Sequence, residues 1–293
     1  MANFTDDLRL AHVLADDADS LSTNRFRALD LHVLTKPDLT PVTDADTSVE
    51  DGIRRTLSRA RPRDAVIGEE AGTTGHSQRQ WVIDPIDGTK NYVRGVPVWA
   101  TLIALMVDDV VVVGCVSAPQ LNRRWWAAQD GGAWTGRSLL KATECHVSDV
   151  SNLEDASFSY SDLAGWEDNG QLEEFLALSR RCWRTRAYGD FWSYMLIAEG
   201  AVDLAAEPSL ALHDMAALDV IVREAGGMFT ALDGTEGPMG GSALASNGRL
   251  HDAALAYLGS IPDDADPDAR PRGPGSVHEL SARRRAPVDP DAE

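Results

Sequence analysis

The sequence predicts a layered α+β or mixed α/β architecture, and three observations point to it. Helical and strand patterns alternate in blocks rather than in strict βαβ units. Two long apolar, β-branched runs, Val98–Val107 and Val110–Val116, flank Asp108-Asp109 and read as a hairpin of buried strands. Apolar residues recur at three- and four-residue spacing near both ends, as packed helices require.

Taken in order, Leu10, Leu14, Ala18 and Leu21 place a first helix over about Asp6 to Arg27. Val49 to Arg59 is a second. Ala65-Val66-Ile67-Gly68 is a short strand ending on Glu69-Glu70, and Trp81-Val82-Ile83 is another, running into Asp84-Pro85-Ile86-Asp87-Gly88-Thr89. After the long hairpin, Arg124–Ala128 and Ala133–Thr135 flank Asp130-Gly131-Gly132 as a further hairpin. Helices follow over about Asn169–Trp183, Asp190–Glu199 and Asp214–Ala225. In the last, Ala217, Leu218, Ile221, Val222 and Ala225 share one face, and Gly226-Gly227 ends it. The reading gives one domain over residues 1–259. Ser260 to Glu293, with six of the 14 prolines and few large apolar side chains, reads as a disordered, charged tail.

The chain has 293 residues, 43% hydrophobic and 25% charged, ordinary globular usage. Its formal charge of −19 disfavours nucleic acid and anionic membrane surfaces as partners, but not divalent cations. There are only three lysines, Lys36, Lys90 and Lys141. Cys115, Cys145 and Cys182 show no metal-ligand spacing and no disulfide framework. The first residues lack the basic start and apolar stretch of a signal peptide, and Val98–Val107 is too short to span a bilayer, so a reducing cytoplasm is the expected location.

The chemistry concentrates in Trp81 to Asn91. Two carboxylates, Asp84 and Asp87, follow a buried strand at a spacing of three. Pro85 stiffens the turn between them, and Gly88 allows close backbone approach. Such a turn can aim carboxylates at a metal and N–H groups at a phosphate. Glu69 ends a neighbouring strand, and Asp214 opens a helix, where its ordinary role would be a cap. Asp44 and Asp46, in Lys36–Asp46, suggest the start of a calcium loop, but Val49 and Arg55 occupy the positions of its glycine and closing glutamate.

Lys36–Asp46, Ile67-Gly68-Glu69-Glu70, Trp81–Asn91, and His213-Asp214 with Glu224-Ala225-Gly226-Gly227 together resemble the inositol monophosphatase family, in order and spacing, over about residues 6 to 258. The resemblance implies an α/β/α/β/α sandwich, usually homodimeric, that hydrolyses a small phosphorylated substrate with two or three Mg²⁺ ions per active site. It implies metal ligation by Glu69, Asp84, Asp87, Asp214 and the main-chain oxygen of Ile86. Gly88 and Thr89 would bind phosphate, joined at the substrate by Asp87 and Asp214. Glu69 would take part in catalysis, and Asp44 would help place Thr89 and the attacking water.

Arg186–Tyr194, Ala198–Asp203 and Ala206-Glu207-Pro208 resemble the histidinol-phosphatase branch of that family. On this reading Asp190 and Glu207 bind the ammonium and imidazole of histidinol phosphate. Inositol 1-phosphate is the alternative substrate, and a non-catalytic metal-binding protein of the same fold is the alternative outside enzymes.

Overall fold

The computed structural model describes residues 4–37 and 40–259. The expected tail, 260–293, lies outside the described residues, as do Asp38 and Leu39 of the Lys36–Asp46 segment.

Helix α1 (Thr5–Arg25) leads to a hairpin, β1 (Val33–Thr35) and β2 (Pro41–Thr43), and then to α2 (Asp44–Ala60). Next come β3 (Ala65–Gly68), β4 (Gly72–Thr74), β5 (Arg79–Asp87), the short α3 (Thr89–Arg94), β6 (Ala100–Val107), β7 (Val110–Ala118), β8 (Arg123–Ala128), β9 (Ala133–Ser138) and β10 (Lys141–Cys145). The second half holds β11 (Ser157–Ser159), α4 (Ala164–Asp168), α5 (Leu172–Arg181), β12 (Arg184–Arg186), α6 (Asp190–Ala198), β13 (Leu204–Glu207), α7 (Leu212–Glu224), β14 (Met228–Thr230), β15 (Ala243–Ser246) and α8 (His251–Leu258).

Strands β3 to β10 form an eight-stranded sheet in the order β10-β9-β8-β7-β6-β5-β3-β4, antiparallel except where β3 meets β5. A second sheet runs β12-β11-β13-β15-β14, with β11 parallel to both neighbours. Side chains alternate across each strand, so each sheet buries two faces. On β6, Ile103 and Leu105 meet Leu14 of α1 and Val49, Ile53 and Leu57 of α2. Leu102 and Ala104 meet the opposite cluster, with Phe191 and Met195 of α6 and Leu218 and Val222 of α7. That cluster continues into the second sheet through Ala205, Ala243 and Ala245. The far side of the second sheet, with Leu204, Ala206 and Leu244, packs on Phe175 and Leu178 of α5 and Ala254 and Leu258 of α8. The layers are therefore α/β/α/β/α, as expected.

Helix α7 lies between two sheets, so Met215 to Val222 are all buried, not just the single face that the sequence pattern suggests. It crosses β7 at Gly114, where an added Cβ would lie 2.5 Å from Val220 Cγ1 and 2.7 Å from the Ala217 carbonyl. Glycine is what allows the approach.

Other departures have local causes. Helix α2 begins at Asp44, five residues before the predicted start, because Thr43 and Asp46 form a capping box. The predicted helix over Asn169–Trp183 is Leu172–Arg181, and an unpredicted short helix, Ala164–Asp168, precedes it across Gly170 at φ +69°. The strands of the second sheet are only three or four residues long and mostly lack β-branched side chains, so their local pattern is weak. Among the described residues no helix is long and apolar enough to cross a membrane.

Candidate active site and metal centre

Asp84 and Asp87 lie in the last turns of β5. In a regular strand, residues three apart face opposite sides. Here Asp84 pairs with Leu102 and Asp87 with Ala100, so three steps on β5 match two on β6. The bulge turns both carboxylates to the same side. The Thr101 hydroxyl donates to the Pro85 carbonyl at 2.8 Å and pins it. From the other side comes Asp214, in the first turn of α7. One carboxylate oxygen from each of Asp84, Asp87 and Asp214 lies within 4.8 Å of the others.

Each carboxylate is oriented. Asp87 Oδ2 accepts the Phe191 N–H at 2.7 Å, and Asp214 Oδ2 accepts the Ala211 N–H at 2.8 Å. Asp84 Oδ1 is buried and has no hydrogen-bond partner. Burial raises the pKa of Asp84 well above the carboxylate range, and the charges of Glu69, Asp87 and Asp214 raise it further. Burial does the same to Asp87, with Asp190 and Asp214 adding to it, and raises Asp214 as well. Converging, partly unpartnered carboxylates with this repulsion fit a hard divalent cation. The all-oxygen donor set suits Mg²⁺ better than zinc. His213 keeps Nε2 at 3.5 Å from Asp214 Oδ1 and lies beside the triplet, not in it.

Glu69 is next to Asp84 because Gly68 pairs with Ile83 across β3 and β5. Its Oε1 accepts from Lys36 Nζ at 2.6 Å, and Glu70 Oε1 accepts from the same ammonium at 2.7 Å. Burial opposes the Lys36 charge, but these hydrogen bonds outweigh it and raise its pKa. Glu69 therefore shares the cleft without joining the 4.8 Å triplet.

Gly88 precedes α3 at φ +82°, and a Cβ there would lie 3.1 Å from the Val98 carbonyl and 3.2 Å from Asp190 Oδ2. The Thr89 hydroxyl donates to the Ile86 carbonyl at 2.9 Å and lies 3.4 Å from Asp46 Oδ1. The expectation for Asp44 is corrected here. Asp44 Oδ2 accepts from Arg25 at 2.6 Å, and Asp46 is the carboxylate against Thr89. The reason is the early start of α2: Asp46 sits at its third position and turns back to accept the Thr43 N–H at 2.8 Å, facing the site. The spacing of Thr43 and Asp46 carried that signal. Burial raises Asp46 to about 6.

The expected specificity residues line the same cleft. Asp190 opens α6 at φ +49°, accepts from Asn91 Nδ2 at 3.2 Å and is pushed by burial to about 6. Glu207, closing β13, is buried and pushed to about 8, chiefly by desolvation. The Ser161 hydroxyl links them: it accepts the Asp190 N–H at 3.0 Å and donates to Glu207 Oε1. Sequence reasoning missed Ser161, which lies in no motif, and gave no role to Tyr194, which ends the Arg186–Tyr194 segment. The cleft that Glu69, Asp87, Thr89, Asp190, Glu207 and Asp214 line encloses about 620 Å³. A second cavity of about 350 Å³ is lined by Met228, Phe229 and Met239. Its Arg223 is engaged by Asp219 at 2.7 Å, so it offers no comparable carboxylate cluster.

Comparison with known proteins agrees with this geometry. Residues 9–262 match the inositol monophosphatase family. The histidinol-phosphatase of Streptomyces coelicolor is 65% identical over 88% of this chain and 98% of its own length. That of Mycobacterium tuberculosis is 59% identical over 86% and 98%. A solved inositol monophosphatase from Zymomonas mobilis superposes with a TM-score of 0.78 at 31% identity, covering 89% of this chain and all of that one. With its fold, its carboxylate cluster and nearly its whole described length in agreement, the chain belongs to the inositol monophosphatase family.

Proposed function

We infer that this chain is a histidinol-phosphatase, converting histidinol phosphate and water to histidinol and phosphate in histidine biosynthesis. The observation that carries the reading is the cleft itself. It brings converging carboxylates, Asp87 and Asp214 among them, together with Asp190 and Glu207 in one cleft that a small phosphate ester can enter. The high identity to two histidinol-phosphatases supports the choice of alcohol. The reading includes two or three Mg²⁺ ions per site, a homodimer and a cytoplasmic location, all resting on the family likeness.

Glu69, Asp84, Asp87, Asp214 and the Ile86 carbonyl would hold the metal. Bound Mg²⁺ supplies the positive charge that the phosphoryl oxygens and an attacking water require. Gly88 keeps the backbone clear where the phosphate enters. Asp46 orients the Thr89 hydroxyl toward the water. Asp190 and Glu207 favour an alcohol carrying positive charge over an anionic sugar bisphosphate, which the acidic cleft repels.

The test is phosphate release, with and without Mg²⁺, from histidinol phosphate, inositol 1-phosphate and fructose 1,6-bisphosphate, using Asp87→Asn as control. Mg²⁺-dependent turnover preferring histidinol phosphate, reduced about 10²–10³-fold in the variant, is expected. Preference for inositol 1-phosphate would overturn the substrate, and inertness toward all three would overturn the activity.

A further inference from the structure

Tyr194 is an unexplained polar group in the cleft wall. The residue is 1% exposed, and its hydroxyl has no hydrogen-bond partner among the described residues. It sits one helical turn after Asp190 on α6, so the two share a face of the helix, and both line the cleft. Its ring packs at a tilt against Phe229, with centroids 5.7 Å apart, so the hydroxyl is presented by a fixed aromatic. Burial, followed by the charge of Glu207 and then of Asp87 and Asp214, keeps it a neutral phenol. Glu207 complements it. Ser161 occupies Oε1 of that carboxylate, and among the described residues no hydrogen bond reaches the other oxygen. Because the Ser161 oxygen also accepts the Asp190 N–H, the position of Glu207 is tied to the start of the helix carrying Tyr194.

We propose that the Tyr194 hydroxyl oxygen and the second oxygen of Glu207 form a seat for the substrate's ammonium nitrogen, with Ser161 as the positioning residue that sets Glu207. This rests on the histidinol-phosphate reading and deepens it. A neutral phenol oxygen keeps a lone pair that can accept from a cationic donor, which the surrounding carboxylates attract. A buried carboxylate and an unpaired acceptor lining one cleft are best offset together by a charged donor with several N–H groups. An ammonium supplies three donors and satisfies both acceptors at once, whereas an imidazole edge offers one.

The experiment measures steady-state kinetics of full-length, Mg²⁺-loaded Tyr194→Phe on histidinol phosphate and on its des-amino analogue, which lacks only the ammonium. For histidinol phosphate KM rises about tenfold with kcat within about twofold, while KM for the analogue moves less than about twofold. Glu207→Gln shifts the same ratio, and the double variant falls short of the product of the single effects because both lose one nitrogen. Equal losses on both substrates, or an unchanged KM for histidinol phosphate, overturn the seat. If Tyr194→Phe does not fold, Ser161→Ala takes its place: the same ammonium-selective rise in KM, rescued by Ser161→Thr, supports the seat, and no selectivity overturns it. Failure of the wild-type enzyme to hydrolyse histidinol phosphate, with another ester turned over, is a separate result that removes the substrate reading itself.

Discussion

Replacing Glu207 with glutamine isolates one buried charge. In the folded chain this carboxyl is pushed from 4.5 to about 8, first by desolvation and then by Asp190, Asp162 and Asp214, with the Ser161 hydrogen bond opposing. Between those values the native state keeps a proton that the unfolded chain has released. The unfolded state then binds fewer protons, so stability falls as pH rises through this window and levels off above about 8. At about 1.4 kcal/mol per unit, the loss amounts to roughly 3–5 kcal/mol. Glutamine resembles the protonated acid and does not titrate. Urea unfolding of metal-free wild type and Glu207→Gln, compared near pH 5 and near pH 8.5, should show similar stability at the lower pH and an advantage of roughly 3–5 kcal/mol for the variant at the higher. Carboxylates remote from Glu207 cancel in the difference, while Asp190, Asp162 and Asp214 are coupled to it. A gap that stays constant within about 1 kcal/mol would mean that Glu207 is ionised throughout, and the account of its environment would be wrong.

Three further outcomes are expected. Asp46→Asn should lower kcat about 100-fold while Asp44→Asn changes it less than about threefold, because only Asp46 faces Thr89; equal effects would restore Asp44. Gly114→Ala should destabilise the fold by about 1–3 kcal/mol, read as a lower melting temperature, since its Cβ would meet Val220 and Ala217. Mg²⁺ should raise the melting temperature more at pH 8 than at pH 6, because Asp84, Asp87 and Asp214 hold protons that compete with the ion; a larger effect at the lower pH would contradict this.

The first sheet and its helices were legible because β6 and β7 are long, apolar and β-branched, and α1 and α2 carry a clear stripe. The second sheet was not, because strands such as Leu204–Glu207 and Ala243–Ser246 are short and alanine-rich and become strands only through pairing. The carboxylates of β5 and α7 were legible as residues, but their convergence depends on a bulge that no local pattern announces. The resemblance points to Asp44, whereas the capping box that starts α2 at Asp44 turns Asp46 toward Thr89. Ser161 stayed hidden because its partner Glu207 is 46 residues away, and Tyr194 because no local pattern shows that its buried hydroxyl lacks a partner among the described residues.

The five layers divide the labour of the site. The residues that would grip metal and phosphate hang from the first sheet and the start of α7, whereas Glu207 ends a strand of the second sheet and Ser161 follows another. Changes at the ends of these interior strands of the second sheet can alter which alcohol is accepted while leaving the hydrolytic apparatus intact, so one chemistry can serve many alcohols on this scaffold. For inhibitor design the corollary is direct. A compound that only chelates metal would strike every enzyme built this way, and one anchored on Glu207, Ser161 and Tyr194 would discriminate among them.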